Sequence, residues 1–165
     1  MLLGALVASR AAAFELRSSA FAAGETIPVT YTCDGPDRSP PLAWREPPAA
    51  AKGFALVSED PDAPGGIWTH WIVYDLPATA RELPDGIPTT PGIAGSGRQG
   101  TNDFKRVGYG GPCPPHGAPH RYVFRLYALD AKLGLEPGAT RDALLHALEG
   151  HVLAETELTG RYARR

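Results

Sequence analysis

Three polar clusters in this chain stand where alternating apolar segments meet runs of Gly and Pro. The first is Asp60-Pro61-Asp62-Ala63-Pro64. Prolines at 61 and 64 set their own φ and restrict the residue before each, so two carboxylates sit on a stiff turn. The second is Trp68-Thr69-His70-Trp71, an imidazole among large aromatics. The third runs from Gly110-Gly111-Pro112-Cys113-Pro114-Pro115-His116-Gly117 to His120-Arg121-Tyr122. Together they hold two imidazoles, a carboxylate, a phenol and loop N–H groups, a set suited to a small anion such as phosphate. Each also has an ordinary structural use. Asp before Pro initiates turns, a histidine among aromatics commonly packs in a core, and Arg121 suits pairing with a carboxylate of the first cluster. His116 and His151 read as surface or structural residues.

The elements that must position these groups read mainly as strands. Ile27, Val29, Tyr31 and Cys33 alternate with Pro28, Thr30 and Thr32, the period of a half-buried strand. Gly35, Pro36, Pro40 and Pro41 then force an irregular loop up to Leu42 and Trp44. Residues 53–58 read as a buried strand and 70–76 as another. In Arg121–Asp130 the side chains of Tyr122, Phe124, Leu126 and Ala128 share one face. Residues 84–119 are Gly/Pro-rich with little periodicity, which in a compact domain marks a functional loop or a misassigned element. One helix is expected after Thr140, with Asp142 in its first turn, an apolar stripe of Leu144, Leu145 and Leu148, and Gly150 as its stop. Val152–Leu158 alternates as a closing strand. Strands spaced by turns with a late helix predict an all-β-dominated sandwich with one or two short helices near the C-terminus.

Composition bounds the function. The 165 residues suit one domain, which residues 14–165 would form. A net charge of −2 argues against a nucleic-acid partner, since such proteins normally carry a basic surplus. Nineteen glycines and seventeen prolines, well above the usual combined share of ~12%, imply many turns and ordered loops. No run reaches the ~20 apolar residues of a membrane span. Residues 1–13 contain a short apolar run and then Ala11-Ala12-Ala13, a small-residue pattern like a signal-peptidase site, so they read as a leader or a frayed end. Cleavage there implies a periplasmic or secreted protein; otherwise it is cytoplasmic. The two cysteines, Cys33 and Cys113, would be free thiols in a reducing compartment or one bridge in an oxidising one. Catalysis finds little support. No CxxC pair or GxSxG elbow is present, and Cys113 with His120 is the sole nucleophile–base candidate. The expectation is therefore a binding protein with no cofactor. A hydrolase or a zinc site built from His, Asp and Cys113 is the alternative.

At these residues the chain resembles the phosphatidylethanolamine-binding protein family, in its bacterial Raf kinase inhibitor-like branch. The resemblance rests on CDGPDRSPPLAW (33–44), SEDPDAPGG (58–66), WTHWIVYDLP (68–77), GTNDFKRVGYGGPCPPHGAPHRYVFRLYALD (100–130) and GHVLAETELTGRY (150–162). It implies a Greek-key β-sandwich with a small pocket near one end that takes phosphate-like anions, including a phospholipid headgroup. By motif, the ligand contacts would be Asp60, His70, His120 and Tyr122, with the Cys113-Pro114-Pro115 loop as a wall that brings Cys113 and Pro115 to the ligand. Asp62, Arg121 and Trp44 match positions that look structural. The family also implies a Cys33–Cys113 bridge in an exported form. A protein partner contacted at the pocket rim, as in kinase or protease inhibition, is the competing functional reading. The segment between the DPDAP turn and His70 is shorter than in animal members, so kinase inhibition does not transfer directly. Histidine contacts imply tighter phosphate binding as pH falls through ~6.5.

Overall fold

The computed structural model describes residues 13–165, so the leader read over residues 1–13 lies almost wholly outside the described residues. Eight strands, β1 (Glu15–Arg17), β2 (Leu42–Arg45), β3 (Gly53–Asp60), β4 (Trp68–Pro77), β5 (Glu82–Leu83), β6 (Arg98–Gln99), β7 (His120–Leu129) and β8 (Val152–Tyr162), are joined by one helix, α1 (Arg141–Leu148). They form two antiparallel sheets, a small one ordered β1-β2-β5 and a large one ordered β6-β4-β3-β7-β8. Within the large sheet β7 returns after a long connection to lie beside β3 rather than β6, the Greek-key order.

The core sits between the sheets. Leu16, Leu42, Trp44 and Leu83 of the small sheet meet Phe54, Leu56, Trp71, Val73, Phe124 and Leu126 of the large one. Fully burying each such side chain is worth about 1.5–3 kcal/mol. The expected face of β7 is the one that enters this core. Its opposite face and that of β3 carry Ala55, Val57, Tyr127 and Leu129 against Leu144 and Leu148 of α1. β3 is thus covered on both sides, which is why all eight of its residues are buried. Thr140 caps α1 by accepting the Ala143 N–H (3.2 Å), and Gly150 turns the chain out at φ +76°.

Two local expectations are corrected. Residues 27–33 are not a strand but pass through a 3-10 turn at Val29–Tyr31. Pro28 has no N–H for a sheet ladder, and the Val29 carbonyl accepts both the N–H (3.1 Å) and the hydroxyl (2.9 Å) of Thr32, closing the chain on itself. Leu42 and Trp44, read as the end of a loop, instead form β2, where the small sheet needs a central strand. The 84–119 stretch is largely irregular, as read, but it is not detached. Its backbone binds the outer edge of β4, with Gly100 N–H to Ile72 O at 3.0 Å, Asp103 N–H to Thr69 O at 3.0 Å and Gly110 N–H to His70 O at 3.0 Å.

Candidate functional site

Three adjacent antiparallel strands deliver the polar clusters to one end of the large sheet. Asp60 ends β3, Trp68-Thr69-His70 begins β4, and His120 begins β7. Simple alternation along β4 would set His70 with Ile72 and Tyr74, facing α1. The pairing shows why it does not. Ser58 opposes Trp71 and Glu59 opposes Thr69, so His70 is the extra residue of a β-bulge. The bulge turns His70 to the inner side with Trp71. There its ring meets Tyr122 edge-on at 5.2 Å and Phe104 at 5.3 Å.

These groups border a cavity of about 250 Å³ lined by Asp60, Ala63, Pro64, Trp68, His70, Phe104, Cys113, Pro114, Pro115 and His120. Asp60 accepts the Asp62 N–H on Oδ1 (2.8 Å) and His120 Nδ1–H on Oδ2 (2.7 Å). His70 Nδ1–H donates to the Gly110 carbonyl at 2.6 Å. Burial holds the His70 pKa below its ordinary 6.5, with the Gly110 carbonyl and Asp60 opposing that shift. Each ring therefore has Nδ1 committed, and among the described residues neither Nε2 makes a hydrogen bond.

The remaining cluster residues act around the cavity. Asp62 clamps β7, accepting the Arg121 backbone N–H (2.9 Å) and both arms of its guanidinium (3.0 and 2.7 Å). Hydrogen bonds from Arg121 hold the Asp62 pKa down at about 2. The third cluster is anchored from behind. Gly111 N–H donates to Asp37 (2.7 Å), Cys33 N–H donates to the Pro112 carbonyl (3.1 Å), and a disulfide joins Cys33 to Cys113. A Cβ at Gly111 would lie 2.3 Å from the Tyr31 carbonyl oxygen, so this approach admits only glycine.

Five of the six residues singled out as ligand contacts, Asp60, His70, Cys113, Pro115 and His120, line the cavity. Tyr122 does not. It stands behind His70, fully buried, and its hydroxyl makes no well-directed hydrogen bond. Burial first and then the nearby Asp60 raise its pKa well above 10, so the phenol stays neutral. His116 and His120 have the spacing of helical metal-ligand pairs, but the segment is not helical and His116 lies off the cavity wall. Phe104 is the wall residue that sequence reasoning missed. Its only signal is an aromatic inside a Gly-rich loop. A larger groove of about 530 Å³ runs along residues 84–94, but its one ionisable wall residue, Asp85, is already bound to Tyr31 and Arg38.

Residues 17–163 match the model of the family described as phosphatidylethanolamine-binding protein. The chain belongs to the phosphatidylethanolamine-binding protein family. Its relatives include a UPF0098 protein of Methanothermobacter thermautotrophicus, 48% identical over 90% of this chain and 98% of that one. A UPF0098 protein of Aquifex aeolicus is 47% identical over 96% and 94%. Among solved structures, a protein of Chlamydia trachomatis described as a phosphatidylethanolamine-binding protein homolog is 42% identical and covers 93% of this chain and 99% of its own, with a TM-score of 0.85. Escherichia coli YbcL, described as a member of the mammalian family, is 32% identical, with coverages of 93% and 100% and a TM-score of 0.85. This family member thus has the β-sandwich expected of it. No helix among the described residues is long and apolar enough to cross a membrane.

Proposed function

We propose that this member of the phosphatidylethanolamine-binding family binds a small phosphate-bearing ligand in the cavity at the β3–β4–β7 ends and performs no turnover there. The observation that carries this reading is the convergence of His70 and His120 on one small cavity, each held by a hydrogen bond at Nδ1. The cavity has room for a headgroup or a small phosphomonoester, and Pro114 and Pro115 give it a stiff wall. Few polar contacts in an open site correspond to micromolar-to-millimolar affinity, ~4–8 kcal/mol. A hydrolase or zinc site that draws on Cys113 is disfavoured, because that sulfur is bonded to Cys33 and offers no thiolate. The same bridge favours an exported protein, since disulfides persist mainly in oxidising compartments.

A second reading, contact with a partner protein at the cavity rim, draws on Ile67 and Trp68, which stay exposed beside the cavity. Calorimetric titration with phosphorylethanolamine and with inorganic phosphate, for wild type and His120→Ala, tests the first reading. Binding by wild type that is lost in the variant is the expected result. Binding of equal strength in both, or none in either, would overturn it.

A further inference from the structure

Among the described residues, the cavity wall contains no Lys or Arg. Its one carboxyl group is that of Asp60, and nearby guanidinium groups are engaged by other partners: Arg121 by Asp62, and Arg106 by the Phe104 ring at 5.5 Å. Among the described residues, the two imidazoles are therefore the only wall side chains able to supply positive charge to an anion. Their Nδ1 atoms cannot be the donors to that anion. A carbonyl oxygen accepts from one and a carboxylate oxygen from the other, so both already carry their hydrogen and point it away from a ligand. A neutral imidazole with its hydrogen on Nδ1 presents a bare lone pair at Nε2. With both rings neutral, the imidazoles and the carboxylate meet an incoming dianion with two lone pairs and an acceptor, which leaves only neutral donors such as the Trp68 indole N–H to hold it.

We infer that this site accepts an oxyanion only together with a proton, carried either on His120 Nε2 or on the ligand as a P–OH donating to it. This deepens the phosphate-binding reading and rests on it. It also narrows the ligand class. A phosphomonoester has a second pKa near ~6 and can bring the proton itself. A phosphodiester or sulfate stays fully ionised at these pH values and must take the proton on the ring. We assign the proton to His120 on geometry, because its Nδ1–H is held by the carboxylate of Asp60, whereas that of the buried His70 is held by a backbone carbonyl. The charged and titratable groups that face His120 come from three strands. Asp60 and Asp62 come from β3 and its turn, neutral Tyr122 from β7 itself, Tyr162 lies opposite on β8, and Arg121 is neutralised by Asp62. Linkage then requires the converse, that a bound anion favours the protonated ring.

The test is calorimetry at pH 8 with phosphorylethanolamine as probe, in two buffers of different ionisation enthalpy. The expected result is uptake of about one proton per anion bound, with affinity falling close to tenfold per pH unit between pH 7 and 8.5. Asp60→Asn is the discriminating variant. Its amide N–H can donate to Nδ1 and shift the ring hydrogen to Nε2, so the ring can then donate without a proton. Uptake should drop well below one in that variant while binding at pH 8 persists. Sulfate should show the same uptake as the monoester in wild type, now borne by the ring alone. Wild type that binds at pH 8 with no uptake would overturn the inference and leave the phosphate reading standing. Free ethanolamine binding as tightly as phosphorylethanolamine would overturn it by making the cavity a cation site. No binding of any anion between pH 5.5 and 8.5 would sink both readings.

Discussion

His120 Nδ1 lies 2.7 Å from Asp60 Oδ2, joining the first residue of β7 to the last residue of β3. The two side chains are 14% and 5% exposed, so solvent screens the contact little. Asp60 also receives the Asp62 N–H, so one carboxylate orients the imidazole and closes the DPDAP turn. Replacing Asp60 by Ala should lower the affinity for phosphorylethanolamine about 10–100-fold, the usual worth of one charge-assisted hydrogen bond at ~1.5–3 kcal/mol. Titration calorimetry checks this, with circular dichroism to confirm the fold. An unchanged affinity would mean that the ring needs no orienting partner.

The Cys33–Cys113 bridge spans 80 residues of sequence. In the chain-entropy model a loop of that length contributes about 4–5 kcal/mol by restricting the unfolded chain. The Cys33→Ala/Cys113→Ala double variant should therefore unfold at clearly lower urea concentration, with a loss of about 2–5 kcal/mol. Because Cys113 stands on the cavity wall, its anion affinity should fall as well. Equal urea midpoints for wild type and variant would show that the loop is held by its other contacts.

Gly111→Ala should be among the more damaging small substitutions. The added Cβ meets the Tyr31 carbonyl oxygen at 2.3 Å and Asp37 Oδ1 at 2.5 Å, neither of which is the far end of a flexible chain free to move away. Overpacking of this kind costs about 1–3 kcal/mol. Relief requires moving the 110–115 loop, so stability and ligand affinity should fall together. A variant with normal affinity and reduced stability would locate the adjustment in the Tyr31 turn instead.

The His70 ring makes stability depend on pH with a definite sign. Its folded pKa is held below 6.5, chiefly by burial. Above pH 6.5 the ring is neutral in both folded and unfolded chains, and its full contribution is present. As pH falls below 6.5 the unfolded chain takes up the proton first, so stability declines toward the lower folded value. Urea unfolding from pH 8 to 5 should show a steeper decline for wild type than for His70→Gln. Parallel curves would place the ring in a more solvated setting.

Much of the site was legible as residue types. The DPDAP turn, the histidine among tryptophans and the Pro-rich cysteine loop stood out as polar groups on stiff loops, and the fold brings all three to one cavity. That Arg121 would pair with a carboxylate of the first cluster followed from charge, while the choice of Asp62 came from the fold; the inward face of β7 followed from its period of two. Alternation failed at residues 27–33, where Pro28 and the Thr32 side chain redirect the backbone, and it failed to reveal β2, a four-residue strand that follows directly on the prolines of 36–41. Phe104 was invisible as a wall residue because an irregular loop has no period to read.

What the chain's own order determined is local: which segments alternate, where they break, and which chemical groups stand at the breaks. The bulge at His70 is a matter of tertiary structure. No feature of Trp-Thr-His-Trp marks it, because a bulge arises from the register between two strands and only β3 reveals the extra residue. The ring hydrogens were decided the same way. Whether an imidazole gives or receives at Nε2 depends on what its other nitrogen touches, and Asp60 and the Gly110 carbonyl reach those nitrogens from positions 60 and 40 residues away in sequence. Spacing along a chain carries residue chemistry; the direction of a proton is set by contacts that only folding makes.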